Sequence, residues 1–234
     1  MKQNKLTSQR LWLATILLLL AIRISAQDTL RTNKIITNAQ MIGIGSVNVL
    51  DTYLSPEEYR GGELRYISLT ERENGTRFSR ELVHQAHLLS AHNRAENNKE
   101  IGGWYNFQYN VHYKLLDATL GKSKLTVKAG GGVDANLGFL YNMRNSNNPA
   151  QAYLQVNLAP SIIAAYSFRV KGHPILLRYE AQAPLVGLTF SPNYGQSYYE
   201  LFSKNNYDHN IVFTTIGSTP SVRQFISAED RKSV

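Results

Sequence analysis

The stretch at residues 103–115 alternates between apolar and polar residues. Its odd positions are all apolar, aromatic or glycine, and five of its six even positions are polar. A period of two places the two sets on opposite faces of an extended strand, whereas a helix would mix them around its circumference. The stretch therefore predicts a β-strand with one apolar face and one polar face.

The same alternation extends through residues 124–141 and 151–169, so it holds for 13 to 19 residues at a time. Strands of soluble proteins usually run for about five or six residues, whereas a tilted strand crosses a bilayer with about 9–11. Long strands with the apolar face outward are typical of transmembrane β-barrels. A soluble barrel or sandwich has the same alternation with its apolar face inward, so alternation alone leaves both open. Gly130, Gly132 and Asn136 on the polar face suit a crowded barrel interior and favour the membrane barrel.

The pattern as a whole predicts seven strands and an eighth that makes their number even. Single-chain bacterial barrels need an even number of strands, so the last strand decides whether the sheet can close. We expect an all-β, up-and-down antiparallel transmembrane β-barrel of about eight strands, either small and closed or part of a larger barrel. The predicted strands cover residues 39–50, 62–71, 77–91, 101–115, 124–141, 151–169 and 175–190, with the eighth near 214–226.

Short and long connections alternate along the chain. Asn74-Gly75 is a type I′ hairpin signal, and residues 171–174 form a second tight turn. In outer-membrane barrels the short turns are periplasmic and the long loops extracellular, which places residues 142–149 outside the cell. The longer polar connections are residues 52–61, 92–99, 142–149 and 191–210.

The first 26 residues have the composition of a secretory signal peptide. Lys2, Lys5 and Arg10 precede a 12-residue apolar run, which is too short to span about 30 Å of hydrocarbon as a helix. We expect cleavage after Ala26, before Gln27. Removal of the segment lowers the formal net charge from +8 to +4, because it holds four of the 25 basic residues and none of the 17 acidic ones.

The composition narrows the classes of function. The absence of cysteine excludes a disulfide framework, a Cys-ligated metal centre, a Cys nucleophile and a lipoprotein anchor. Charged residues make up only 18%, and 14 tyrosines suit an interface between water and lipid. The small charge of the exported part gives no reason to expect nucleic acid as a partner. We expect an outer-membrane location, with lipid and the barrel-assembly machinery as partners and a small solute or glycan as the candidate ligand.

Four stretches carry a resemblance to a known family: NKIITNAQMIGIGSVNVLDTYLSPEEYRGGELRYISLTER at residues 33–72, AGGGVDANLGFLYN at 129–142, SPNYGQSYYE at 191–200 and YDHN at 207–210. Through them the chain resembles, over residues 33–224, a family of outer-membrane β-barrel proteins of Bacteroidetes known as a domain of unknown function. The resemblance implies an outer-membrane barrel. It supplies no activity and no catalytic residues.

The end of the chain departs from that class. The resemblance implies further strands and a terminal strand that closes on an aromatic residue used in assembly. Residues 227–234 (SAEDRKSV) are charged, do not alternate and lack a final Phe or Tyr. We therefore expect a barrel domain at residues 27–226 followed by a charged tail outside the barrel. We also expect a chain truncated relative to its family or closed by its eighth strand, and poor insertion of the chain as written.

No catalytic, cofactor-binding or metal-ligating residues are predicted. A lipid-hydrolysing barrel needs His and Ser on one strand face, and none of the six His residues has Ser two positions later. A Gly-x-Ser-x-Gly motif is also absent. His84 and His92 share a face but lie eight positions apart, and His87 faces the other way, so no metal site follows. The glycines at residues 130–132 precede neither a helix nor Lys-Ser/Thr, which argues against a phosphate cradle.

Two groups of residues are the candidate functional positions. The first faces the lumen, where it packs into a structural plug or, in a wider barrel, lines a water path. The second is an aromatic loop that stacks on sugars or anchors at the interface. We expect a non-enzymatic outer-membrane barrel, either a small channel or a structural or surface-binding protein; the alternative is a soluble exported β-barrel or sandwich that binds a small apolar ligand or glycan. The lumen candidates are Asn106, Gln108, Asn110, His112, Lys114, Lys128, Asp134, Asn136, Gln155 and Asn157, and the extracellular loop candidates are Tyr194, Tyr198, Tyr199 and Tyr207.

Overall fold

The structure, a computed structural model, describes residues 34–190, 192, 196–203, 210–218 and 220–230. The predicted signal peptide and the candidates Tyr194 and Tyr207 lie outside the described residues. No helix within the described ranges is long and apolar enough to cross a membrane.

The described chain is all-β and antiparallel, as the alternation predicts, with one six-residue helix, α1 (Tyr198–Ser203), between the eighth and ninth strands. The ten strands are β1 (Ile35–Val49), β2 (Tyr59–Glu73), β3 (Phe78–Asn93), β4 (Lys99–Leu120), β5 (Ser123–Asn142), β6 (Ala150–Val170), β7 (His173–Gln182), β8 (Val186–Phe190), β9 (Ile211–Thr215) and β10 (Arg223–Asp230).

The strands form one curled half-barrel. β1 to β7 follow one another in up-and-down order, and β10 pairs with the far side of β7. β6 pairs with β7 from Ser161 to Val170 and with β8 from Leu154 to Leu158, and β9 continues the sheet beside β8. β1 and β10 are the two ends of the path, and no pairing joins them among the described residues.

Connection lengths divide the sheet into two ends. The turns after β2, β4 and β6 are tight, and Gly75, Gly121, Lys171 and Gly172 have positive φ values of 67°, 63°, 48° and 89°. Lys171 and Gly172 together make the two-residue turn with both φ values positive that a type I′ hairpin requires. The connections after β1, β3 and β5 are longer and meet at the opposite side. We call these two sides the turn end and the loop end.

The predicted seventh strand, residues 175–190, is broken in two. β7 ends at Gln182 and β8 begins at Val186, with Pro184 between them. Pro184 has no N–H to give to the ladder, and the strand is interrupted there, whereas Pro160 lies within β6 without breaking it. The backbone N–H groups of Ala183 and Leu185 still bond to β6, at 3.1 Å from Pro160 O and 2.9 Å from Leu158 O. The chain therefore bends at Pro184 without leaving its neighbour.

The end of the described chain also differs from expectation. The predicted eighth strand, residues 214–226, is two pieces that belong to β9 and β10. β10 continues into the charged tail, and Ala228 pairs with Leu177 and Asp230 with Ile175. Ladder hydrogen bonds use backbone groups, so side-chain charge does not prevent pairing. Glu229 also lies on the inner, polar face, where a carboxylate is tolerated.

One bulge changes the phase of β4. Lys114 pairs with Lys128, but the next pair joins Leu116, rather than Leu115, to Val127. An extra residue in one strand reverses the faces that follow it. Both leucines consequently lie on the outside, and the alternation read from residues 103–115 holds only as far as this bulge.

The two faces of the sheet have opposite polarity. At mid-strand the outward side chains of Tyr109, Val133 and Ile162 are 41%, 39% and 48% exposed, whereas the inward Asn110 and Asp134 are 0% and 1% exposed. This arrangement is the reverse of a soluble core, in which apolar side chains are buried. An apolar cluster lies at the loop end of the described sheet, and Val83, Ile163 and Leu176 are also buried on the inner face. The cluster is formed by Leu54, Tyr59, Leu89, Ala91 and Leu140.

Candidate functional site

Buried charges cross the inside of the half-barrel. Arg178 of β7 donates from Nη2 to Glu81 of β3 and, at 2.6 Å, to Glu180 Oε2 of its own strand. Asn110 Nδ2 of β4 reaches the second oxygen of Glu81 at 3.4 Å. Three strands are thus tied together across the interior, and we call the connected set of inner polar side chains the lumen network.

The lumen network continues from Asn110 to the last strand. Gln182 Nε2 donates to Asn110 Oδ1 at 3.2 Å, and Gln182 Oε1 accepts from Arg223 Nη1 at 2.8 Å. Arg223 Nη2 also lies 3.4 Å from Asp134 Oδ2. Arg223 therefore connects β10 with β5, although two strands, β6 and β7, separate them in the order of the sheet.

Amide side chains surround Asp134 at the centre of the sheet. Asn106 Nδ2 donates to Asp134 Oδ1 and, at 2.8 Å, to Asn136 Oδ1. Gln108 Nε2 donates to Asn106 Oδ1 at 2.6 Å. A buried carboxylate costs free energy unless hydrogen bonds replace its water. Asn106 supplies one such bond, and Asn136 Nδ2 donates to Asp134 Oδ1 at 3.3 Å.

A second ionic cluster lies toward the turn end. Lys128 Nζ of β5 donates to Glu71 Oε1 of β2 at 2.6 Å and also contacts Glu73. Lys114 is not part of this cluster. Its Nζ lies 3.6 Å from Oδ2 of Asp117, which follows the bulge on the same strand. A deeply buried ammonium group is stabilised only by such pairing.

All ten lumen candidates lie on the inner face. Lys114, Asn136 and Gln155 are half-buried, and the other seven are buried. Sequence reasoning missed the central charges Glu81, Arg178 and Glu180. Arg178, Glu180 and Gln182 follow one another at every second position of β7, which is the signal that could have identified them.

The lumen network interrupts the interior space. A cavity of about 70 Å³ lies between β2, β3 and β10, beside Leu69, Glu81 and Phe225. A second cavity of about 230 Å³ opens at the turn end, beside Lys128 and Arg178. The Glu81–Arg178 ion pair stands between the two cavities, because each partner lines one of them.

One Ser–His contact forms between distant strands. His112 Nε2 of β4 lies 2.7 Å from Ser161 Oγ of β6, a pairing that a search within single strands could not find. Catalysis by such a pair needs an accessible Ser and a third group that orients the imidazole. Here both residues are buried, and His112 Nδ1 has no hydrogen-bond partner. The geometry suits a structural contact within the lumen network.

The remaining histidines are dispersed. His84 Nδ1 lies 2.6 Å from the Tyr105 hydroxyl on the outer face, whereas His87 Nδ1 lies 2.9 Å from Glu63 Oε2 on the inner face. His92 is exposed at the loop end. The described part of the chain contains no group of three or more His, Asp or Glu residues arranged to hold a metal ion.

The two loop tyrosines within the described residues have different roles. Tyr198 opens α1, and its hydroxyl donates to Gln151 Oε1 at 2.8 Å and accepts from the Ala152 N–H at 2.7 Å. Tyr53 packs edge-on against it, with ring centroids 6.1 Å apart. Burial raises the pKa of both hydroxyls above the usual value. Tyr198 therefore anchors the loop to β6, whereas Tyr199 is 82% exposed and free to meet a ligand.

Comparison with known proteins identifies the family. The model of the family described as "Protein of unknown function (DUF3316)" matches residues 11–230. No curated protein and no solved structure matches the chain. The match covers far more than half of the chain, and the protein therefore belongs to the DUF3316 family.

Proposed function

We propose that this protein is a non-enzymatic outer-membrane β-barrel protein whose interior is a structural plug rather than an open channel. The reversed polarity of the sheet carries the proposal. Lipid solvates the outer Tyr, Val, Leu and Ile side chains, whose exposure to water costs roughly 25 cal/mol per Å² of apolar surface. The charged interior is at the same time shielded from hydrocarbon.

Strand length supports the proposed location. β4, β5 and β6 contain 22, 20 and 21 residues. A tilted strand crosses the hydrocarbon with about 9–11 residues, so each of these strands can cross and project on both sides. The signal-peptide composition of the first 26 residues supports export.

The soluble alternative needs the opposite packing. A lipocalin-like barrel or a sandwich encloses its apolar residues, and a pocket for an apolar ligand is lined by them. Val133 and Ile162 lie outside, and the buried inner positions beside them hold Asp134 and Ser161. This observation favours the membrane protein over the soluble binder.

The lumen network favours a plug over a channel. A water path needs a continuous polar opening, which small barrels fill with side chains. Arg178 is bonded to two carboxylates in the interior, and the cavities on its two sides are separate. We therefore expect no ion conductance from the wild-type protein in planar bilayers.

Fractionation tests the proposal. The full-length chain is expressed with its own signal segment, and the envelope is separated and washed with alkaline carbonate. We expect a low yield of inserted protein, found in the outer-membrane fraction, resistant to carbonate and migrating faster on gels before boiling than after it. Recovery as a soluble periplasmic protein with unchanged migration would contradict the membrane assignment and favour the soluble alternative.

A further inference from the structure

A row of basic side chains crosses the outer face at the loop end. Arg60 of β2 pairs directly with His92 of β3, and His92 pairs with Lys99 of β4. Directly opposed residues of antiparallel strands point to the same side, about 4.5–5.5 Å apart. We call Arg60, His92 and Lys99 the basic row. It faces outward, because the adjoining positions Tyr59, Asn93 and Glu100 are buried on the inside.

An apolar groove of about 520 Å³ lies on the same outer face, below the basic row toward the turn end. Its floor is formed by two small residues, Ala86 of β3 and Gly103 of β4. Bulky residues of β2 to β5 form its walls, including Leu64, Leu88, Tyr105 and Phe139.

The shape of the groove depends on glycine at position 103. A Cβ atom at Gly103 would lie 3.0 Å from Leu88 Cδ2 and 3.2 Å from Phe139 Cε1, closer than ordinary contact. Leu88 and Phe139 pair with Gly103 from the two sides and close over its empty side-chain position. A larger residue at position 103 would push Leu88 and Phe139 aside and change the shape of the groove.

The spacing between the two features matches an amphiphile. Arg60 and Leu64 are four positions apart on β2, as are Lys99 and Gly103 on β4. At about 3.3 Å per residue, the groove begins roughly 13 Å below the charges, within the reach of one acyl chain from its headgroup. The row between them holds Gly62, Ser90 and Ile101, which are small or apolar and carry no charge.

Arg60 and His92 are exposed at the loop end, beside a recess that Glu57, Glu58 and Glu96 also line. Arg60 contacts Glu58 at 3.2 Å, but the two side chains are 76% and 52% exposed, and exposed pairs of this kind contribute little. The outward position beside Lys99 is Met143, whose N–H bonds to Lys99 O at 3.0 Å, and neither it nor Ala150 at the start of β6 carries a cation. The combination of cations above and groove below is thus confined to β2, β3 and β4 and the adjoining wall of β5.

We propose that this surface binds a phosphate-bearing lipid, with its phosphate on the basic row and one acyl chain in the groove. The inference rests on the proposed outer-membrane location, which puts hydrocarbon against this face. Arg and Lys hold phosphate through charge-assisted hydrogen bonds, and exclusion of water by the neighbouring chains strengthens them. The same chemistry admits a glycerophospholipid or a phosphorylated glycolipid of the outer leaflet.

Native mass spectrometry in a non-ionic detergent tests the proposal on the heat-modifiable protein. The probes are dimyristoyl phosphatidic acid, bis-phosphorylated lipid A and the phosphate-free dimyristoylglycerol. We expect saturable binding of one phosphate-bearing lipid per chain and at least tenfold weaker binding of dimyristoylglycerol. Preference between phosphatidic acid and lipid A identifies the source of the phosphate.

Two variants separate the parts of the site. Arg60→Gln/Lys99→Gln should weaken binding of phosphatidic acid by roughly 30-fold and leave that of dimyristoylglycerol unchanged. Gly103→Leu should weaken binding of both. The matched control for charge is Arg72→Gln/Arg80→Gln, which removes two opposed outward cations of β2 and β3 at the turn end. Ala164→Leu adds a leucine of the same size, three carbon atoms larger than the alanine it replaces, to the outer face of β6.

Equal binding of all three lipids, or equal effects of the site and control variants, would overturn the lipid site. If Gly103→Leu does not reach the heat-modifiable form, Gly103→Ala replaces it, with a smaller loss expected. Protein that inserts in liposomes and yet does not discriminate among the lipids refutes this inference alone. Protein that fails to insert and stays soluble refutes the proposed location and the lipid site with it.

Discussion

Arg178 and Glu81 form a buried ion pair across the inside of the half-barrel, although 97 positions separate them in the sequence. The pair joins β7 to β3 and stands between the two interior cavities. It is therefore the contact on which both the curl of the sheet and the closure of its interior depend most directly.

Removal of the arginine should destabilise the protein strongly. Arg178→Met leaves Glu81 and Glu180 buried without their cation, and breaking a buried pair in this way costs about 3–5 kcal/mol. Urea unfolding of the liposome-reconstituted protein measures the loss. Arg60→Met removes an exposed ion pair and should cost no more than about 1 kcal/mol. Equal losses would show that the interior pair has no special role.

Charges on the two faces should have unequal effects. Val133→Lys places an ammonium group in the apolar outer surface, which costs about 2–4 kcal/mol near the bilayer midplane. Asn136→Lys, three positions away, places the same group on the polar inner face and should be much milder. Folding yield in liposomes compares them. The same sensitivity at both positions would count against a lipid-facing outer surface.

The two ends of the sheet should lie on opposite sides of the membrane. A cysteine at Ser146, in the connection after β5, should react with an impermeant maleimide added to intact cells. A cysteine in a turn should not. Lys122 is a better turn position than Gly172, because Gly172 has a φ of 89° that other residues adopt only with strain. The reverse labelling pattern would refute the orientation.

Closure should limit insertion of the described sheet. β1 has 15 residues without a charge or a proline. The strand edge that faces away from β2 has no partner among the described strands. In hydrocarbon each unpaired backbone group costs several kcal/mol. We expect a low yield of protease-resistant monomer unless the edges of β1 and β10 pair.

A disulfide between Ile42→Cys and Ile226→Cys tests that pairing. Little cross-link within a single chain is expected, together with a low yield of inserted protein. A high yield of monomer that carries the intramolecular cross-link would show instead that the chain closes by itself.

The strands with strict alternation could be predicted from sequence because the signal is local. In β5 and β6 the face on which a residue lies is fixed by its place in the alternation. The outward position of Val133 and Ile162 therefore follows from the alternation alone. The break at Pro184 has a local signal only in part, since proline lacks a ladder donor but Pro160 lies within β6 without a break. No turn residue marks the bulge at Leu115 in the sequence. The bulge moves the side chains that follow it to the opposite faces.

The lumen network could be predicted only in part. Asn106, Gln108 and Asp134 could be predicted because they lie on the polar face of two neighbouring strands. The contact of Arg178 with Glu81, or of His112 with Ser161, depends on which strands face each other across the interior. That arrangement is set by the curl of the whole sheet, which no single segment specifies. The pairing of β10 with β7 likewise depends on backbone geometry, which the charged side chains of β10 do not indicate.

Tryptophan quenching by brominated lipid tests the central claim most directly. Outside the predicted signal segment Trp104 is the only tryptophan, so Trp104→Phe gives a silent background. Val156→Trp then reports the outer face, and Gln155→Trp, the adjacent position, reports the inner face at the same depth. In bilayers of dibromostearoyl phosphatidylcholine, we predict strong quenching of the tryptophan at position 156 and little at 155. Equal quenching at both positions, or none at 156, would contradict a half-barrel that meets lipid with its apolar face and encloses its charges.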